Sequence, residues 1–284
     1  MSRQNKDELR MMKDEQEKTP VFRSLFFILS SLFFIFVFFL LVPPAYAQSP
    51  ALDRDTFEAA NRLYENGHYE EAARLYQQLA DAGYEDSRLD YNLGNAYYES
   101  ADFGRAILYY RRAMVDRPRD GAVRHNLQMA RTKVIDQLKP AEESLLEQIT
   151  QVGNWMTLNE TAGITLLVWL AIGVTFILYR RSPNERRRTA MQSSLILWSL
   201  AFLFMLILLG ARVNNERTHA PAVVIADAVE VLDDPSHAAL PVFKLHSGAE
   251  VSVVDEQTNW YLLTLPGDEL QGWISAEALA LVSE

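Results

Sequence analysis

Three stretches of this 284-residue chain, Leu25–Val42, Thr161–Tyr179 and Ser193–Ala211, are apolar along their whole length, and none contains a charged residue. As helices rising 1.5 Å per residue, the two later stretches of about 19 residues each span roughly 28 Å, the thickness of the hydrocarbon layer. A chain with such segments is expected to be a membrane protein, and its remaining sequence must fold in pieces between them. The first block is followed by Pro43, Pro44 and the small-x-small triplet Ala45-Tyr46-Ala47. That order suits a signal peptide cleaved after Ala47, or an N-terminal anchor if cleavage does not occur, and export is the outcome in both cases.

Between the second and third blocks lies RRSPNERRR, in which Arg180, Arg181, Arg186, Arg187 and Arg188 face a lone Glu185. A short loop so rich in arginine is retained on the cytoplasmic side, so these five residues are the expected determinants of topology. Residues 48 to about 158 and 212–284 then both face outward. Trp155 and Tyr179 fall where an interfacial aromatic belt is expected, a simpler reading than a ligand site. Neither of the two later spans holds Asp, Glu, Lys, Arg or His, which disfavours an ion or proton path. Leu145, Ile149, Val152 and Met156 recur at helical spacing and predict a juxtamembrane amphipathic helix over 139–158.

Charge separates the regions further. Residues 212–284 carry 3 basic and 12 acidic groups, and residues 48–150 carry 13 and 18. Surfaces this acidic repel phosphate, so nucleic acid is not an expected partner. The absence of cysteine removes disulfides, thiolate metal sites and cysteine nucleophiles together.

Residues 53–138 repeat at a period of 34: Tyr69 aligns with Phe103, Ala72 with Ala106, Tyr76 with Tyr110, Asn92 with Asn126, and Leu93 with Leu127. The order Leu93, Gly94, Tyr97, Ala106, Tyr110, Ala113 and Pro118 resembles a tetratricopeptide (TPR) repeat, departing at the fourth position, where Asp90 stands in place of an aromatic. Gly94 and Ala106 are small so that paired helices can approach, and Pro118 ends the second helix. About two and a half repeats are predicted, the last helix acting as a cap. So short an array buries little apolar surface and needs its juxtamembrane stripe, a neighbouring domain or a partner to be fully stable.

The concave face of such an array collects Phe57, Asn61, Tyr64, Glu65, Arg88, Tyr91, Asn92, Asn95, Tyr98, Glu99, His125 and Asn126. Of these, Asn61, Tyr64, Arg88, Tyr91, Asn92, Asn95 and Tyr98 are the candidate peptide groove, since amides pair with an extended backbone while rings bury side chains. The alternative is that the tyrosines only pack and the asparagines only provide helix polarity. Capture of a terminal carboxylate is not expected, because Phe57, Ala122 and Asn126 occupy the positions of the required bases.

Residues 221–284 alternate short β-branched and aromatic runs with turn signals, predicting a small barrel of about five strands. Leu245, Gly248, Val251, Val253, Trp260, Tyr261, Gly272, Trp273, Ile274 and Leu279 give it the pattern of a bacterial SH3-like domain. Some SH3-like relatives bind cell-wall peptides, which makes peptidoglycan a possible partner. The acidic run Glu230–Pro235, which lacks their basic residue, counts against it.

No phosphate-cradling loop, zincin motif or nucleophile elbow is present, and the five histidines are scattered. No enzyme activity, metal or cofactor is expected. The expected fold class is a multi-domain membrane protein: all-α TPR helical repeats over 53–138, a transmembrane helical hairpin of 161–179 and 193–211 around a cytoplasmic loop 180–192, and a small all-β SH3-like barrel over 221–284.

This domain order resembles the BatE family of bacterial Bat (aerotolerance) operons. The resemblance implies a non-enzymatic inner-membrane scaffold with periplasmic TPR and SH3-like modules, and Bat proteins bearing von Willebrand A domains as partners. A cell-wall sensor binding peptidoglycan is the alternative.

Overall fold

The computed structural model describes residues 53–136, 138, 155–218, 220–235, 239–266 and 270–283. The apolar block 25–42, the cleavage site at Ala45 and Ala47, and most of the amphipathic helix expected over 139–158 lie outside these residues.

Five helices come first: α1 Arg54–Glu65, α2 Tyr69–Asp81, α3 Ser87–Glu99, α4 Phe103–Asp116 and α5 Gly121–Arg131. Their starts are written in aspartate. Asp53, Asp86, Asp102 and Asp120 each accept a backbone N–H of the following first turn, at 3.2, 2.7, 3.1 and 2.9 Å. An Asp at this position satisfies donors that the helix itself cannot pair. The chain leaves α1 and α2 through left-handed glycines, Gly67 (φ 81°) and Gly83 (φ 83°), and leaves α3 through Ala101, a non-glycine at φ 63°. After α4 the stop is Pro118, as the sequence suggests.

The helices pair in order around one core in which Ala60, Ala72, Tyr76, Leu89, Leu93, Ala106, Ile107, Tyr110, Ala113, Val123 and Leu127 are buried. The pairs are α1 with α2 and α3 with α4, and α5 closes the array.

Two long helices follow, α6 Leu158–Arg181 and α7 Glu185–Thr218. A capping box starts α6: the Thr157 hydroxyl accepts the Glu160 N–H at 3.1 Å and the Glu160 carboxylate accepts the Thr157 N–H at 2.9 Å. The break between the helices covers only 182–184, shorter than the expected loop 180–192. Pro183 cannot continue a helix and holds Ser182 extended (φ −76°, ψ 123°). Asn184 then caps α7 by accepting from the N–H of Arg186 at 3.0 Å and of Arg187 at 3.4 Å. A run of arginine ends an apolar span without ending a helix, so all five arginines are helical and flank this turn.

Both helices are long and apolar enough to cross a membrane, and only 17% and 11% of their apolar windows are buried. Ile196, Leu197 and Leu167 are 63–67% exposed. A helix at the centre of a water-soluble core would be covered instead.

The C-terminal region is an antiparallel sheet: β1 Ala220–Val224, β2 Ala228–Leu232, β3 Pro241–His246, β4 Glu250–Gln257, β5 Trp260–Thr264, β6 Gln271–Ser275 and β7 Leu279–Leu281. The strand order is β3-β2-β6-β5-β4-β1-β7. It corrects the expectation of about five strands in a closed barrel in two ways. The run AVVIADAVEVL divides into β1 and β2 around residues 225–227, and a 3₁₀ turn at Ala276–Ala278 allows Leu279–Leu281 to add an edge strand. Strands β3 and β7 are the two edges, each paired on one side only, to β2 and β1, so the sheet is not closed. Its core is Ala222, Val224, Val231, Leu245, Val251, Leu263 and Ile274.

The sheet docks on the helical array, supplying the neighbour that a short array requires. Val223 and Val282 belong to the core of the helices, with Ile225 and Ala280 beside them. Helix α4 lies against β1. Gly104 permits the approach, because a Cβ there would collide with the Ser247 hydroxyl and lie 3.0 Å from the Gly248 nitrogen. Polar contacts frame this apolar centre. Arg131 grips Glu250 with two hydrogen bonds of 2.6 and 2.7 Å, and Arg111 lies 3.5 Å from the same carboxylate. Arg112 donates to the Leu281 carbonyl at 2.8 Å, and Asp136 accepts the His246 N–H at 2.6 Å.

Candidate functional site

The groove asparagines come from α1, α3 and α5 at two repeat offsets: Asn61 on α1 and Asn95 on α3 share one, and Asn92 on α3 and Asn126 on α5 share the other. Asn61 of α1 accepts two hydrogen bonds at Oδ1, from the Tyr76 hydroxyl at 2.5 Å and from Asn92 Nδ2 at 3.2 Å. One repeat later, Asn95 of α3 accepts from the Tyr110 hydroxyl at 2.9 Å and from Asn126 Nδ2 at 2.9 Å. Residues 61, 76 and 92 become 95, 110 and 126 on adding the period of 34. The same amide–phenol–amide triad is therefore made twice, each time tying neighbouring first helices through a tyrosine from the second helix between them.

Aromatic rings follow the same rule. Phe57 lies against Tyr76 with centroids 5.6 Å apart, and Tyr91 against Tyr110 at 6.2 Å. Tyr64 meets Tyr69 edge-on at 5.2 Å, and Tyr98 meets Phe103 edge-on at 5.5 Å.

Burial pushes the Tyr76 phenol up to about 12, the hydrogen bond from Asn92 opposing and the Tyr64 and Glu65 side chains adding to the rise. Burial raises Tyr110 as well. Both phenols stay protonated and keep donating at physiological pH. Each triad consumes the carbonyl of one asparagine and the amide nitrogen of the next. Asn61 Nδ2, Asn92 Oδ1, Asn95 Nδ2 and Asn126 Oδ1 make no hydrogen bond among the described residues. An unengaged donor beside an unengaged acceptor is what a peptide backbone can use.

Asn61, Tyr64, Asn92 and Asn95, with Glu65 and Tyr76, line a cavity of about 260 Å³ on this face. Three other groove candidates lie elsewhere. Tyr91 stands beside the second triad, its hydroxyl accepting from Asn126 Nδ2 at 3.3 Å. Tyr98 is packed on Phe103. Arg88 does not line the cavity: its guanidinium is held by Asp86 through contacts of 2.6–3.1 Å at the start of α3. First-helix offsets alone miss Tyr76 and Tyr110, which arrive from the second helix of each pair. The clue was their alignment at the repeat period, which by itself reads as packing.

Asp90, at the position where an aromatic is usual in the repeat, is pushed up to about 7 by burial, against the pull of the Arg112 guanidinium. Arg112 lies over the Tyr109 ring at 5.4 Å and continues to the Leu281 carbonyl. The departure from the repeat pattern thus places an acid and a base on the side of the array that meets the sheet, away from the groove.

The five arginines of the expected loop flank the turn 182–184, where Arg188 lies over the Tyr179 ring at 5.0 Å. That turn is at the opposite end of the α6–α7 pair from both domains. At the domain end, Arg119 pairs with Glu160 at 2.5 Å and Arg212 donates to the Met156 carbonyl at 2.5 Å. Among the described residues no group of three or more His, Asp or Glu could hold a metal ion.

No curated protein and no solved structure matches this chain. Residues 57–121, which carry the first triad and most of the second, match the family model of the tetratricopeptide repeat, and this segment is therefore a TPR array of the kind that mediates protein–protein interaction.

Proposed function

We propose that this protein is a non-enzymatic membrane scaffold that presents its TPR groove to a protein partner. The observation that carries the reading is the doubled asparagine–tyrosine triad: two sets of unengaged amide groups on the face shared by α1, α3 and α5, while the sheet packs on α4 and leaves those groups uncovered. In this reading α6 and α7 cross the inner membrane, with the arginine turn in the cytoplasm and the TPR and SH3-like modules in the periplasm. Placement of the turn at the far end of the helix pair from both modules supports that orientation. The domain order further points to a Bat-type complex linked to aerotolerance, with von Willebrand A domain proteins as the partners. Tethering of the groove to the helix pair raises its effective concentration toward a partner anchored in the same bilayer.

Two measurements test this reading. Affinity capture from detergent-solubilised membranes should recover Bat-type proteins, and changing Tyr91, Asn92 and Asn95 together to Ala should reduce recovery at least tenfold by removing several backbone-directed contacts. Recovery unchanged by the triple substitution, in a protein whose circular dichroism is native, removes the groove from the reading. Because the chain has no cysteine, single cysteines introduced at Arg54, Ser182 and Lys244 report topology directly. A membrane-impermeant thiol reagent should label the first and third, and not the second, in cells with a permeable outer envelope.

A further inference from the structure

The groove carries a charge pattern with the same period as its triads. Asn61-Arg62-Leu63-Tyr64-Glu65 recurs one repeat later as Asn95-Ala96-Tyr97-Tyr98-Glu99, so each unit presents asparagine, tyrosine and glutamate at the same offsets. Glu65 lines the cavity with Asn61 and Tyr64. Its carboxylate acts on the Tyr76 phenol, as that of Glu99 acts on Tyr64 and Tyr110, which places both glutamates on the groove side. Both are exposed, and neither forms an ion pair with a described residue. Arg88, the one base among the groove candidates, is held by Asp86.

The spacing between the units is set by contact. Asn61 reaches Asn92, and Asn95 reaches Asn126, directly from helix to helix. Helices that touch in this way lie about 8–10 Å apart. A polyproline II segment rises 3.1 Å per residue with three residues per turn, so its side chains at i and i+3 recur on one face every ~9.3 Å. That conformation also has no internal hydrogen bonds, leaving its backbone for the unengaged amides.

We propose that the groove takes a basic, extended segment of a partner protein, carrying Lys or Arg at positions i and i+3, with one basic side chain at Glu65 and the next at Glu99. The Tyr64 ring, which lines the cavity beside Glu65, offers a face for the first of these cations. This inference rests on the protein-interaction reading above and adds the chemistry of the ligand to it.

The test uses the full-length chain in detergent and fluorescently labelled synthetic peptides of about twelve residues in a Pro/Ala background. One peptide carries two lysines three residues apart, one carries them adjacent, one has glutamates in their place, and one is neutral. The spaced basic peptide should bind most tightly, and its binding should weaken with salt. Glu65→Gln and Glu99→Gln should each weaken it about threefold and together about tenfold, the range for exposed pairs, while leaving the neutral peptide unaffected. Equal binding of the neutral and spaced basic peptides, lost in Asn92→Ala, overturns the charge inference and leaves the groove reading standing. Tighter binding of the acidic peptide overturns it as well. If none of the peptides binds, both the inference and the peptide-groove reading are overturned.

Discussion

Gly94 and Ala60 occupy the same offset in successive repeats, yet the structure predicts that replacing Gly94 by Ala is destabilising. A Cβ built on Gly94 would lie 2.6 Å from both Cδ1 and Cε1 of Tyr110. Carbon atoms in contact prefer about 3.5–4.0 Å, so the ring has to retreat by roughly 1 Å. Tyr110 is only 1% exposed, and its hydroxyl is fixed to Asn95 at 2.9 Å. Overpacking of this kind costs about 1–3 kcal/mol. Losing the hydrogen bond costs about 0.5–1.5 kcal/mol more. The higher helix propensity of Ala returns about 1 kcal/mol. The net loss is about 2 kcal/mol, equivalent to a fall in Tm of roughly 4–8 °C for a cooperative unit of about 150 residues. Differential scanning calorimetry of the full-length chain reads it. Because the displaced ring anchors the second triad, partner binding should weaken in the same variant. A Gly94→Ala protein with unchanged or raised Tm would show that the second repeat can adopt the Ala60 geometry of the first, and would refute the close approach as the reason for glycine.

Two further predictions come from backbone and charge. Ala101 holds φ 63° at the offset that Gly67 occupies with φ 81° in the preceding repeat, and it is exposed. Ala101→Gly relieves left-handed strain and should raise stability by about 0.5–1 kcal/mol in chemical denaturation, whereas a loss of stability would show that the Ala methyl group contributes packing. Asp90 is raised from 3.8 to about 7 by burial, which outweighs Arg112, and Asp116, Asp86 and Glu85 add to the rise. The folded protein thus holds this proton more tightly than the unfolded chain, so the contribution is present at low pH and is lost as pH climbs from about 4 through 7. Asp53, Asp86 and Glu160 shift downward and act in the opposite sense, only below their ordinary range. The urea midpoint should therefore fall between pH 5 and pH 8, and Asp90→Asn should flatten that fall; an equal fall in both proteins would show that Asp90 is not its source.

Much of the architecture was legible residue by residue because it depends on local chemistry. Pro118 after α4 acts within one turn of itself, so a linear reading finds it; the aspartate caps, the glycine exits and the Pro183 turn are equally local but enter only with the structure. The 34-residue period likewise predicts paired helices, and the uncharged spans predict helices long enough for a bilayer. Helix boundaries were less legible: α6 and α7 run through the arginines, since charge ends an apolar span but does not end a helix. Strand count failed for a related reason. The run containing β1 and β2 carries no Gly or Pro break, and only pairing to different partners separates it into two strands.

The candidate groove shows the same division. Asparagine offsets mark which side chains share a face, and on that basis Asn61, Asn92 and Asn95 belong together. Offsets do not reveal that Tyr76 and Tyr110 reach across from the second helices, that Arg88 is held by Asp86, or which half of each amide is left unengaged. Those are outcomes of side-chain geometry between elements.

By itself, then, the sequence determines the units of this protein: a short repeat array, two apolar helices around an arginine turn, and a β-rich C-terminal region. Its local signals are strong enough to specify each unit without the others. Only the tertiary structure decides that the array and the sheet share a core. Val223 and Val282 are one residue out of phase with the sheet's own interior and are buried by helices more than 90 positions earlier in the chain. A single apolar residue on a strand carries no mark of which partner will cover it, so burial between domains becomes visible only when both surfaces are in place.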